Sequence, residues 1–303
     1  MSITVVILTY NEALHIERAI RSVQFPALAT KIYVVDSFSR DGTQELARSL
    51  GAEVVEHAFT TQSQQFQWAL DTLPIETEWI LRLDADEIIY EDLALEILQK
   101  TQHTSPSVGG FTLNRRHIFF DKWIRHGGRY PLRLLRLWRT GHGRVEDRWM
   151  DEHVVLTHGS VEDLSGRFED RNLNDLSYFI GKHNAYASRE ALEQLATKYG
   201  LRDASEQHTQ MSNQARVKRF IKERFYNRLP YPLTSTAYFV FRIVLQFGFL
   251  DGSRGLIYHF LQGFWYRFLV GAKVYEIESV LRSMPSTELQ IVRLQEYASE
   301  FAK

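Results

Sequence analysis

The chain has 303 residues and not one cysteine. Disulfides and thiolate metal sites are therefore excluded, which fits a reducing compartment without proving one. The opening "MSITVVILTYNE" has neither a basic leader nor a small-residue cleavage site, so no secretory signal is expected there. Internal repeats and low-complexity segments are also missing. No apolar run reaches the ~20 residues that a membrane-spanning helix needs. What remains is an ordinary foldable composition, 44% hydrophobic and 24% charged.

A net charge of −1 conceals an asymmetry. Residues Met211 to Lys273 carry ten Lys and Arg against two acids, Glu223 and Asp251, together with 15 of the 39 aromatic residues. An acidic body with a basic, aromatic tail suggests regions 1–210 and 211–303 with different surroundings.

In the first half, short apolar runs alternate with amphipathic segments. "ITVVIL", "IYVVD", "AEVVEH" and "WILRLD" read as strands covered by helices on both faces, because they are continuous rather than alternating. Between the first two, Leu14, Ala19, Ile20 and Val23 fall near one helical face. Gly51 closes the next helix. This repetition predicts an α/β fold built on a mostly parallel sheet flanked by helices. "GGFTLNRRHIFF" and "LRLLRLWR" add strands, and from about Asp175 the chain reads helical. In the tail, "YFVFRIVLQFGFL" and "LIYHFLQGFWYRFLVGA" suit either helices packed on the body or an aromatic, cationic platform at a lipid surface. Nucleic acid is not expected as a partner, since these aromatics cluster apart from the basic residues.

Ligands of a parallel sheet bind beyond the carboxyl ends of its strands. Three strands here end in "TYNE", "DSFSRDGT" and "DADE". Asp84, Asp86 and Glu87 crowd a strand end, where their repulsion calls for a cation or another strong partner. Asp84 and Asp86 share a side if the strand geometry persists. Mg²⁺ or Mn²⁺ would relieve the repulsion, taking carboxylate oxygens together with those of a diphosphate.

With "VVILTYNE", "VVDSFSRDGT" and "LRLDADE" in this order, the chain resembles the family 2 glycosyltransferases. The resemblance continues through "RYPLRLLRLWR", "MDEHVVL" and "GFLDGSRGLIYHFLQGFWYRFLVGAKVYE". It is strongest toward bacterial enzymes of lipopolysaccharide core and surface-glycan assembly, β-glucosyltransferases among them. It implies the GT-A (Rossmann-like) fold, a UDP-sugar donor and a glycan or glycolipid acceptor at the inner face of the cell membrane, in the cytoplasm.

It also implies roles for individual residues. Thr9, Tyr10 and Glu12 would line the nucleoside pocket, and Asp36 would accept a hydrogen bond from the base. Asp84 would face the ribose or sugar, and Asp86 would hold the metal. Glu87 is either a supporting residue or a helix start. Where relatives carry Gln-Arg-Asn, this chain has Gln65, Phe66 and Gln67, so Gln65 is kept and the donor contact of the Arg is in doubt.

Inverting transfer needs a base for the acceptor hydroxyl. Glu152, aligned on "HVVL", is the first candidate and Asp151 the second. Arg133 and Arg136 lie three apart on a strand, so at most one of them easily reaches the site, to stabilise a diphosphate or an anionic acceptor. Two alternatives stand beside this reading. A nucleotidyltransferase would require a glycine- and lysine-rich phosphate loop after the first strand, which "TYNEALHIER" lacks. A nucleotide-sugar-binding pseudoenzyme at the membrane would keep the fold without turnover.

Overall fold

The structure, a computed structural model, describes residues 2–146, 153–201 and 230–301. By contact density the chain divides into two compact units, Met1–Leu173 and Asn174–Lys303. The boundary expected at 210/211 lies outside the described residues.

In the first unit, strands β1 (Ile3–Thr9), β2 (Lys31–Asp36), β3 (Glu53–Glu56) and β4 (Trp79–Asp84) lie in the order β3-β2-β1-β4, all parallel. Their apolar runs are continuous because both faces are covered. Val5 and Ile7 enter one core with Ile20, Leu81 and Ile97, whereas Val6 enters another with Tyr33, Val35, Phe66 and Trp138. Period-two alternation of side chains serves both layers at once. Helices α1 (Ile16–Gln24), α2 (Thr43–Ser49), α3 (Gln62–Thr72) and α4 (Glu91–His103) connect and flank these strands. One expectation fails locally: Leu14 is exposed, because α1 begins at Ile16 and buries Ile16, Ala19, Ile20 and Val23 instead.

Beyond β4 the sheet becomes mixed. β8 (Arg133–Arg139) runs antiparallel to β4, and the long β6 (Val108–Phe119) antiparallel to β8. β12 (Phe168–Arg171) joins β6 in parallel, and β5 (Glu87–Ile89) closes the row against β12. β7 (Lys122–Ile124) and β11 (Ser160–Asp163) also pair with β6, while β9 (Gly143–Val145) and β10 (Val154–Leu156) form a separate ribbon. This is the α/β architecture expected of a GT-A fold.

The second unit is helical. α5 (Leu176–Lys198) starts where Asp175 caps it, its carboxylate accepting the Tyr178 N–H at 2.8 Å. α6 (Tyr231–Val240) continues as a π-helical turn, Phe241–Leu245. A short 3₁₀ segment, Gly248–Asp251, leads into α7 (Gly252–His259) and a second π turn, Phe260–Trp265. α8 (Tyr266–Arg282) and α9 (Thr287–Phe301) complete it. Leu192, Leu195, Ile277, Leu281 and Leu294 form its core. Among the described residues no single helix is long and apolar enough to cross a membrane.

Candidate active site

Neighbouring strand ends supply the first part of the site. Thr9 and Asp36 are register partners on β1 and β2, and the Thr9 hydroxyl donates to Asp36 Oδ2 at 2.8 Å. The Asp36 carboxylate, fully buried, also accepts the Ser39 N–H and hydroxyl and the Gln44 amide, at 2.6–2.7 Å. Four donors thus meet it within the fold.

The two loops that follow are stitched together. Asn11 N–H donates to Ser39 Oγ and Asn11 Oδ1 accepts from Arg40 N–H. Glu12 and Ala13 N–H donate to Thr43 Oγ1 and Asp41 Oδ2. Burial would raise the Asp41 carboxyl, but hydrogen bonds from the Thr43 hydroxyl and from the Ala13 and Thr43 N–H groups hold it below its ordinary value. Asn11 and Phe38 have φ of 54° and 61°, a left-handed conformation that costs energy in a residue like Phe. Tyr10 and Phe38 nevertheless lie open, at 61% and 52% exposure.

Glu12 faces the buried His15. His15 Nε2 accepts the Leu173 N–H at 2.9 Å, so the ring proton sits on Nδ1 and is donated to Glu12 Oε2 at 2.6 Å. The same segment reaches Asp86. The Asn172 amide donates to Asp86 Oδ2 at 3.1 Å, and Arg171 N–H donates to the Asp86 carbonyl. Arg18 holds the Arg171 carbonyl.

At β4 the strand ends at Asp84, and Ala85 and Asp86 form a turn. The condition for Asp84 and Asp86 to share a side is therefore not met, and different partners hold the two carboxylates. Arg136 Nη2 lies between Asp84 Oδ2 (2.9 Å) and Glu87 Oε1 (2.7 Å). Arg82 Nε stands 3.5 Å from Asp84 Oδ1. Glu87 is no helix start: it is wholly buried on β5 and accepts the Asp84 N–H at 2.8 Å. Cross-strand pairing sets it opposite Asp170, itself opposite His117. Arg115 Nη1 bridges Glu87 and Asp170 at 3.6 Å each, and His117 Nδ1 approaches Asp170 at 3.1 Å.

The charges follow from this wiring. Burial would raise the Asp84 carboxyl, but the Arg136 and Arg82 guanidiniums hold it well below the usual carboxylate range. Burial pushes Glu87 up to about 8, with Arg136 opposing and Asp84 adding to the rise. Asp170 is held low by His117 and Arg115 despite its own burial. Guanidiniums thus compensate the crowded carboxylates that the sequence singles out.

Of the two strand arginines, Arg136 enters the site, and the exposed Arg133 pairs with Asp163. Gln65 is buried and exchanges hydrogen bonds with Ser37. Phe66 belongs to the core, and Gln67 receives the Val145 N–H. Where relatives are expected to have an arginine, the nearby guanidinium comes instead from Arg82, 4.9 Å from the Phe66 ring. Arg82 and Arg115 were not anticipated from sequence. Their signal was a charge inside an otherwise continuous apolar or strand-like run. Asp151 and Glu152 lie between β9 and β10, outside the described residues.

Among the described residues, no three His, Asp or Glu side chains are grouped to hold a metal. A hard divalent cation that shares its ligands with a diphosphate needs only one or two carboxylates. The half-buried Asp86, with the neutral Asn172 amide on one oxygen, fits such a shared site and not a closed protein cage.

Comparison with known proteins identifies the family. The sequence pattern of Glycosyl transferase family 2 matches residues 4–196. An "Uncharacterized glycosyltransferase" of Rickettsia bellii is 43% identical over 95 residues, covering 31% of each chain. One from Rickettsia felis is 39% identical over 95 residues, covering 31% of this chain and 32% of its own. The chain thus spans about a third of the length of these curated relatives. Among solved structures, glucosyl-3-phosphoglycerate synthase from Mycobacterium tuberculosis, in complex with Mn²⁺, UDP and glucosyl-3-phosphoglycerate, is 22% identical. It aligns over 38% of this chain and 44% of its own, with a TM-score of 0.33. The chain belongs to glycosyl transferase family 2.

Proposed function

We propose that the protein is an inverting, metal-dependent glycosyltransferase that moves a sugar from a UDP-sugar to a lipid-linked or lipopolysaccharide-type glycan. One observation carries the reading: in a chain of this family, the ends of β1, β2 and β4 bring Thr9, Asp36 and Asp84 to one edge of the sheet.

In this reading Thr9, Tyr10 and Glu12 form the nucleoside pocket, with the exposed Phe38 ring offering a second surface for the base. Asp36 shapes the floor, and the base reaches its carboxylate once Ser39 or Gln44 yields a bond. Gln65 braces Ser37 beneath the loop. Asp84 and Arg136 meet the ribose or sugar and the diphosphate, where a guanidinium suits paired phosphate oxygens. Mg²⁺ or Mn²⁺, held by Asp86 together with the diphosphate, would neutralise leaving-group charge. Glu152, or Asp151 beside it, takes the acceptor hydroxyl proton as that oxygen attacks the anomeric carbon in line, and UDP departs from the opposite face. The acceptor places the protein in the cytoplasm, peripheral on the inner face of the cell membrane.

Incubation with radiolabelled UDP-sugars, Mn²⁺ and glycolipid acceptors tests this. Transfer, or slow donor hydrolysis, is expected for one sugar. Glu152→Gln should keep donor affinity and lose transfer. Donor binding with no turnover of any sugar identifies a pseudoenzyme instead.

A further inference from the structure

The segment from Val240 to Phe260 is built inside out. Val244, Leu245, Phe247, Phe249, Leu250 and Leu256 are all exposed, Leu245 by 66% and Phe249 by 54%. Three ionisable residues of the same segment, Arg242, Asp251 and His259, are buried, and Arg254 is exposed. His259 Nε2 lies 3.3 Å from Asp251 Oδ2, and the Arg242 guanidinium sits 5.7 Å and 5.8 Å from the Tyr238 and Tyr258 rings.

Glycines make this polar interior possible. A Cβ on Gly255 would come within 2.1 Å of Asp251 Cβ, and one on Gly248 within 2.8 Å of the Arg242 carbonyl. Helical turns can therefore close around charge and leave the apolar side chains outside. A water-soluble helical hairpin does the reverse, because exposed apolar surface costs about 25 cal/mol per Å². Contiguous surface of this kind marks a site of interaction.

We infer that this hairpin is a membrane-insertion element that enters one leaflet of an anionic bilayer, with its apolar tip below the headgroups. Charge favours lipid over another protein as the occupant. Between Tyr231 and Lys273 the only acid is Asp251, which is buried, while Arg254 is exposed beside the tip. Arg267 and Lys273 add positive charge further along α8. In hydrocarbon, ionisable groups must face the protein interior and find partners there, as His259 and Asp251 do with each other and Arg242 does with the Tyr238 and Tyr258 rings. Tyr231–Leu245 and Gly248–Arg282 meet at 72°, a bend that suits re-entry better than a straight span. The inference is separate from the donor chemistry and goes beyond peripheral adsorption, because it sets the depth of named side chains.

The absence of cysteine makes depth directly measurable. Leu245→Cys, Phe249→Cys and Leu256→Cys, each in the full chain, take a single nitroxide label. Leu95→Cys, exposed in the first unit, serves as control. With phosphatidylcholine–phosphatidylglycerol vesicles and no nucleotide, the three tip labels should gain oxygen accessibility and lose accessibility to a water-soluble nickel chelate. The control should not change. Separately, the Leu245→Glu/Phe249→Glu double variant should lower the vesicle-bound fraction at least about tenfold, with its circular dichroism retained. Vesicle-bound chain whose tip labels stay open to nickel overturns the inference in favour of surface adsorption. Labels shielded before vesicles are added overturn it in favour of self-association.

Discussion

At the residue scale, Arg136 holds Asp84 and Glu87 together, and its worth is measurable by removal. Arg136→Met leaves the partly buried Asp84 carboxylate short of a cation and the buried Glu87 carboxyl without its donor, and should cost about 3–5 kcal/mol in urea unfolding. Asp170 gives a pH signature. Its carboxyl is held below the unfolded value, so its contribution is complete above the ordinary carboxylate range and lost progressively as pH falls below that range toward the depressed folded value. Asp170→Asn should therefore destabilise most near neutrality, and the gap from the parent should shrink below about pH 4. Phe38→Gly should leave stability within about 1 kcal/mol, since relief of the left-handed φ offsets added chain entropy. The same change should weaken UDP binding about tenfold by calorimetry. The role of Glu87 was illegible in sequence because its partners, Arg136 and Arg115, are on distant strands. By contrast Asp36 and Asp84 stood out, since each ends an apolar run.

At the scale of elements, the four parallel strands were legible because burial on both faces leaves continuous apolar runs. Short strands such as β5, β11 and β12 were not. Their three or four residues carry no period of their own and become strands by pairing with β6 or with one another. Leu14 fitted a helical face by spacing, yet the helix starts two residues later. The stitched loops after β1 and β2 were also invisible, since their bonds join residues 28–31 positions apart. Asn11→Ala tests that stitching: it removes the acceptor of Arg40 N–H and a residue type tolerant of positive φ. Amide exchange at Arg40 should accelerate, and stability should fall by about 1–2 kcal/mol.

For the whole molecule, the sheet edge lined with carboxylates and guanidiniums sits within residues 4–196, which carry the family pattern. The family and fold were readable because the motifs occur as an ordered set along the chain. The proposed base, Glu152, rests only on its place before "HVVL", because it lies outside the described residues. The most direct test is calorimetric titration of UDP into the parent and Asp86→Ala chains, each with Mn²⁺ and with EDTA. The account predicts saturable binding by the parent that requires Mn²⁺ and vanishes in Asp86→Ala, with both chains equally folded. Binding that is unchanged by EDTA and by loss of Asp86, or none in the parent, would contradict it.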